Sequence, residues 1–168
     1  MYYKRFDKDI KLSNRNIQRI INFYLFNCPT PGKSVRANTF AQLGWEGSPQ
    51  FSQLKKRLLA ASCGNLRENY FPCIKNELPQ KFRNVANVKP PNEYCVFLKQ
   101  DEKTVMQSLF SAIRNAFAHG SFNVKTYNGV KIYYFENFNG YLKAEIVLHE
   151  ETLLAWIPIL EAGYNPIQ

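Results

Sequence analysis

The segment Ile113-Arg114-Asn115-Ala116-Phe117-Ala118-His119-Gly120 sets three polar side chains with chemical uses into the end of an otherwise apolar stretch. Placing such groups among apolar neighbours is costly unless they are partnered or used. An imidazole titrates near neutrality and can move a proton in either direction. A guanidinium is permanently charged, and its fork of donors suits the oxygens of a phosphoryl group. Together, these residue types permit RNA to be cut by its own 2′-hydroxyl. His119 would act as base on the 2′-OH or as acid on the leaving 5′-oxygen. Arg114 would stabilise the charge gathering on the phosphoryl oxygens, and Asn115 would orient His119 or the phosphate. The products expected are a 2′,3′-cyclic phosphate and a 5′-hydroxyl, with no metal or other cofactor, and DNA should resist because it lacks the attacking group.

The elements that must hold these residues can be read from periodicity. A helix is expected from Asp101 or Glu102 to His119, with Gly120 just past its end. Val105, Met106, Leu109, Phe110, Ala112, Ile113, Ala116 and Phe117 form two adjacent apolar ridges, as in a helix packed within a bundle. At roughly 100° per residue, Asn115 and His119 share a face, whereas Arg114 and His119 lie about 140° apart. Arg114 must therefore reach round the helix or act across an interface between two chains.

Upstream, Ile17, Ile20, Ile21, Tyr24 and Leu25 predict a helix from Ser13 to Phe26, and Ser48-Pro49 opens another. Phe51, Leu54, Leu58, Ala61 and Cys63 or Leu66 are expected to face inward on that second helix. Lys55, Lys56 and Arg57 crowd its outer side and are the expected RNA contacts. Gly32-Lys33-Ser34 resembles the end of a phosphate-binding loop, but Asn27 stands where the first glycine belongs and no strand precedes it. Residues 71–91 predict short helical turns and loops ending at Pro90-Pro91.

Downstream, Asn128-Gly129 and Asn139-Gly140 punctuate strand-like runs at 122–127, 130–136 and 141–148, which predicts a three-stranded antiparallel meander. Its aromatic residues are expected to pack, except where one faces outward and could stack on unpaired bases. A last helix follows from Glu150 to Ala162 despite Pro158. His149, at the junction before it, is expected to be structural.

The Arg114 to His119 spacing, R-x4-H with a polar residue directly after the Arg, resembles the signature of HEPN domains (higher eukaryotes and prokaryotes nucleotide-binding). The likeness is carried by residues 101–122. It implies a mainly α fold, a HEPN-like helical bundle, with the meander a small insertion before the C-terminal helix. It also implies a homodimer with a composite active site and a metal-independent endoribonuclease acting as a toxin or phage-defence effector. An antitoxin or a nucleotidyltransferase would be the corresponding partner. Two other classes fit the same motif: a non-catalytic HEPN-like module binding a nucleotide, RNA or a nucleotidyltransferase, and a dimeric bundle whose Arg and His merely stabilise its interface.

Composition agrees with a polyanion partner. The chain of 168 residues carries a net charge of +9, and the excess is uneven: residues 1–92 hold 16 Lys and Arg against 5 Asp and Glu, residues 93–168 hold 6 against 8. With 45% hydrophobic residues and no shift in composition, one domain is expected over 1–168. The charged start (Tyr2 to Asp7) lacks a signal peptide's apolar stretch, and no run is long enough to span a bilayer. A cytoplasmic protein without a membrane partner is the expectation. Cys28, Cys63, Cys73 and Cys95 are expected to be reduced, and with two histidines and no CxxC they do not seed a zinc site.

Overall fold

The computed structural model describes residues 13–30 and 38–167. The Tyr2 to Asp7 segment and Gly32-Lys33-Ser34 lie outside them. The mainly helical bundle expected from the sequence is not what the chain builds. Five helices pack on a five-stranded mixed sheet, an α/β arrangement in chain order α1 (Arg15–Ile21), α2 (Ser48–Ala60), β1 (Tyr70–Cys73), α3 (Leu78–Val85), β2 (Tyr94–Leu98), α4 (Val105–Ala118), β3 (Phe122–Tyr127), β4 (Val130–Asn139), β5 (Tyr141–His149) and α5 (Glu150–Ala162). The strand order is β1-β2-β5-β4-β3.

The two Asn-Gly turns do join three antiparallel strands, but these are three of the five strands of a larger sheet. β2 adds antiparallel to β5, and β1 pairs parallel to β2 with α3 as the crossover between them. Residues 71–91, expected to form short helical turns and loops, thus supply most of β1 as well as the helix α3, and β2 follows at 94–98, where no strand was expected. The reason β2 is hard to read is burial on both faces. Cys95 and Phe97 point into the core under α1, α2, α4 and α5, whereas Tyr94 and Val96 point into a second core closed by Leu78 and Val85 of α3. A strand covered on both sides has no polar-apolar alternation to betray it.

The first helix is also shorter than expected. Asn14, not Ser13, caps α1 by accepting from the Asn16 and Ile17 amides, and after Ile21 the coil widens into a π-helical turn, Asn22–Asn27. That turn seats Tyr24 in the core, where its hydroxyl donates to the Leu153 carbonyl at 2.6 Å. α2 starts at Ser48 after an N-cap at Gly47, and Trp156 of α5 binds its end by donating to the Leu58 carbonyl at 2.9 Å. Glu150, buried at the start of α5, accepts from Asn16 Nδ2 and from the Tyr133 hydroxyl, each at 2.9 Å. All four cysteines are free thiols.

The chain is tied down past α5 at Gly163, whose φ of 72° and ψ of −173° belong to a region that side chains avoid. A Cβ there would meet the Leu43 carbonyl oxygen at 2.6 Å. The same carbonyl accepts from the Tyr164 amide at 2.7 Å, so neither side can give way cheaply. Gly163→Ala is expected to cost at least roughly 1–3 kcal/mol from backbone strain alone. The check is urea unfolding: the midpoint should fall with the m-value unchanged. An unchanged midpoint would mean that this segment does not dock on Leu43.

Candidate active site

α4 carries the R-x4-H residues, and its two ends explain where they sit. At the start, Thr104 and Gln107 form a reciprocal cap: the Thr104 hydroxyl accepts from the Gln107 amide at 3.2 Å and Gln107 Oε1 accepts from the Thr104 amide at 2.8 Å. The helix thus begins later than expected, and Asp101 and Glu102 precede it. One turn on, Ser108 Oγ accepts from the Gln100 amide at 3.0 Å, which fixes the chain leaving β2 against α4.

At the other end the Ser121 amide donates to Ala116 and the Gly120 amide to Phe117, with Gly120 at φ +66°. These two bonds are the Schellman closure expected of a helix ending on a left-handed glycine. His119 is the last residue before that reversal and is exposed, while its amide still donates to the Asn115 carbonyl at 3.0 Å. Asn115 lies one turn below it and is half-buried.

Asn115 and His119 line one cleft of about 260 Å³, together with Gln100, Asn137, Phe138, Asn139 and Lys143. It opens where the end of α4 faces the hairpin turn between β4 and β5. Its wall offers amides from Gln100 and three asparagines, one imidazole, one ammonium and no carboxylate. This array would receive a negatively charged, hydrogen-bonding ligand.

Arg114 does not line that cleft. It is half-buried on the other side of α4, where its Nε donates to the Leu25 carbonyl of the π-helical turn at 3.3 Å. Burial raises the pKa of the nearby Cys28 thiol, with the Arg114 charge pulling the other way. Lys103 sits on the same side, donating to Ser111 Oγ at 3.2 Å. Its pKa is lowered by desolvation first and by the Arg114 charge second. The helical geometry that separates Arg114 from His119 in the sequence thus persists in the fold.

The remaining histidine is remote in environment. His149 is buried at the β5–α5 junction, its Nε2 bonded to the Pro91 carbonyl and its backbone amide donating to Glu93 Oε2 at 2.8 Å. Lys55, Lys56 and Arg57 lie on α2, with Lys55 Nζ 5.1 Å from the centre of the Tyr70 ring, and none of them lines the His119 cleft. Sequence reasoning missed Gln100, Asn137, Asn139 and Lys143. The Asn139-Gly140 turn marked the hairpin, but nothing local places it opposite the end of α4.

Among the described residues, no group of three or more His, Cys, Asp or Glu side chains is arranged to hold a metal ion. No helix among them is long and apolar enough to cross a membrane. No protein-family model matches the chain, and neither the curated proteins nor the solved structures contain a match to it.

Proposed function

We propose that the protein is a metal-independent endoribonuclease that cuts RNA by attack of the 2′-hydroxyl, with His119 as the proton-transferring residue. The observation that carries this reading is the meeting of exposed His119 with Asn115 and Lys143 in one polar cleft. The 2′-oxygen forms a bond to phosphorus as the bond to the 5′-oxygen breaks, so one proton must leave the first oxygen and another must reach the second. Lys143 stands where it can offset charge on the phosphoryl oxygens, and the cleft's amides can hold them in place.

A single chain supplies one imidazole for two proton transfers. Its other histidine is buried and bonded elsewhere. His119 would therefore serve first as base and then as acid, and a two-fold dimer would bring Arg114 of the partner to the cleft that its own chain's Arg114 does not line, giving two sites of one His119 and one partner Arg114 each. The homodimer with a composite site is therefore part of the proposal. In a cell this activity suits a cytoplasmic toxin or phage-defence effector restrained by an antitoxin-like or nucleotidyltransferase partner, a role that rests on the HEPN resemblance.

The test is incubation of the purified chain with mixed tRNA and other cellular RNA in EDTA, followed by end-group analysis. Fragments ending in 2′,3′-cyclic phosphate and beginning with 5′-hydroxyl are expected, with DNA of the same sequence left intact. A folded chain that cuts none of a broad RNA set, with or without added metal, overturns the proposal. A second reading, a non-catalytic module that binds RNA or a nucleotide, is favoured by one contact: Arg114 bonded to the Leu25 carbonyl, as a structural arginine would be. It predicts binding that survives His119→Ala and no cleavage by the wild type.

A further inference from the structure

The cleft around His119 does not stop at Lys143. A second depression of about 400 Å³ shares Gln100 and Lys143 with it and passes over the end of the sheet where β1 and β2 finish and β5 begins. On its wall two ammonium groups converge on one ring: Lys75 Nζ lies 4.7 Å and Lys143 Nζ 5.3 Å from the centre of Tyr141. The negative face of an aromatic ring holds each cation in place. Lys99 lines the same depression. Asp101 is the carboxylate on its wall, and among the described residues no ion pair forms between it and these lysines. Three cations against one carboxylate that pairs with none of them leave a positive excess on this wall, which would accept an anion.

Apolar side chains bracket them. Ile74 is 60% exposed on the wall of the second depression and Phe138 is 55% exposed on the wall of the first, among the few large apolar residues that the fold leaves in water. Cations alternating with exposed apolar surface match a nucleic-acid strand whose bases are free, because phosphates repeat along it and each base offers a flat face. A duplex hides those faces within its stack.

We infer that the two depressions form one continuous groove for single-stranded RNA, in which Lys143 stands at the scissile phosphate, Lys75 and Lys99 hold the phosphates flanking it and Phe138 stacks on an unpaired base. The inference rests on the ribonuclease reading for the position of the scissile phosphate but not for binding itself. It also relocates the RNA contacts from Lys55, Lys56 and Arg57 on α2 to the end of the sheet.

Fluorescence anisotropy with a labelled single-stranded 2′-O-methyl RNA 12-mer separates binding from cleavage, since this probe has no free 2′-hydroxyl. The combined Lys75→Gln, Lys99→Gln and Lys143→Gln variant is expected to bind at least about 10-fold more weakly at 0.1 M salt. Its log-log salt slope should be shallower by about 2, three contacts at roughly 0.7 each. A control of equal charge change on other surfaces, Lys55→Gln, Lys56→Gln and Arg67→Gln, should keep the wild-type slope. Phe138→Ser should lose about 5-fold or more in affinity without changing the slope, and the three Lys→Arg replacements should retain binding, which separates loss of charge from loss of fold. Equal weakening by the groove and control sets overturns the inference, as does a poly-glutamate 12-mer that binds as tightly as the RNA. RNA cleavage by a wild type whose groove variant still binds normally removes the groove and leaves the nuclease. Lysine-dependent binding by a wild type that cuts nothing removes the nuclease and leaves the groove.

Discussion

His119→Ala is expected to lower the rate of RNA cleavage by about 10²- to 10⁴-fold, the usual contribution of a positioned general acid or base. Its stability should stay within roughly 0.5 kcal/mol of the wild type, because the imidazole is exposed and makes no side-chain hydrogen bond among the described residues. The loss should therefore appear in single-turnover rates under conditions where the variant is fully folded, and free imidazole added to the reaction should restore part of it. A drop of less than about 10-fold would remove His119 from the chemistry.

The same experiment extends to Arg114. If each active site takes His119 from one chain and Arg114 from the other, Arg114→Ala and His119→Ala are each inactive alone. Mixed dimers nevertheless contain one site with both native residues. Random mixing of equal amounts should then recover about a quarter of wild-type activity, since half of the dimers are mixed and each has one good site of two. No recovery on mixing would place both residues in one chain, or make Arg114 a packing residue held on the Leu25 carbonyl.

The second large effect concerns Glu93, a carboxylate with no exposed surface that sits beneath the β5–α5 junction. Burial pushes its pKa from 4.5 up to about 7, against the lowering effect of hydrogen bonds from the His149 amide and Thr152. Its Oε1 has no hydrogen-bond partner among the described residues. The groups facing it are His149, Thr152, Cys63 and Cys95, and its charge in turn raises the pKa of both thiols, after desolvation.

The folded chain holds this proton up to about pH 7, whereas an unfolded glutamate releases it near 4.5. Between those values the native state binds more protons, so stability falls as pH rises through the window. The contribution is fully present below about pH 4.5 and lost above about 7, an amount on the order of 3 kcal/mol. Glu93→Gln keeps an acceptor for the His149 amide and cannot ionise. Its unfolding free energy, measured by urea titration from pH 4.5 to 8, should therefore decline less than that of the wild type. The two curves should diverge most above pH 7, and parallel curves would show that Glu93 does not titrate in this window.

The two experiments differ in how far the sequence alone could have planned them. The His119 experiment could be planned from it. An apolar double ridge, a glycine at the right place and three polar residues in the last turn put the motif at the end of a helix, and local chemistry suffices for that because a Schellman closure involves residues five apart or fewer. The two Asn-Gly turns and the final helix from Glu150 to Ala162 were legible for the same reason: their hydrogen bonds close between near neighbours in the chain.

Glu93 and the groove lysines were not legible. Nothing around Glu93 marks it as buried, because its surroundings come from His149 and Thr152, more than fifty residues away. β1 and β2 escaped notice because they pair in parallel across the intervening α3, β1 is short, and the side chains of β2 are buried on both faces, which erases its period-two pattern. Gln100 and Lys143 meet His119 only because β2 lies beside β5 in the sheet. The sequence by itself determined the helix end and the residue types that could move a proton and bind phosphate. Helical periodicity also set Arg114 apart from His119, but tertiary structure alone decided that Arg114 rests on the Leu25 carbonyl and that Lys143 shares the cleft with His119, since side-chain direction across a sheet depends on register and strand order, which no local signal encodes.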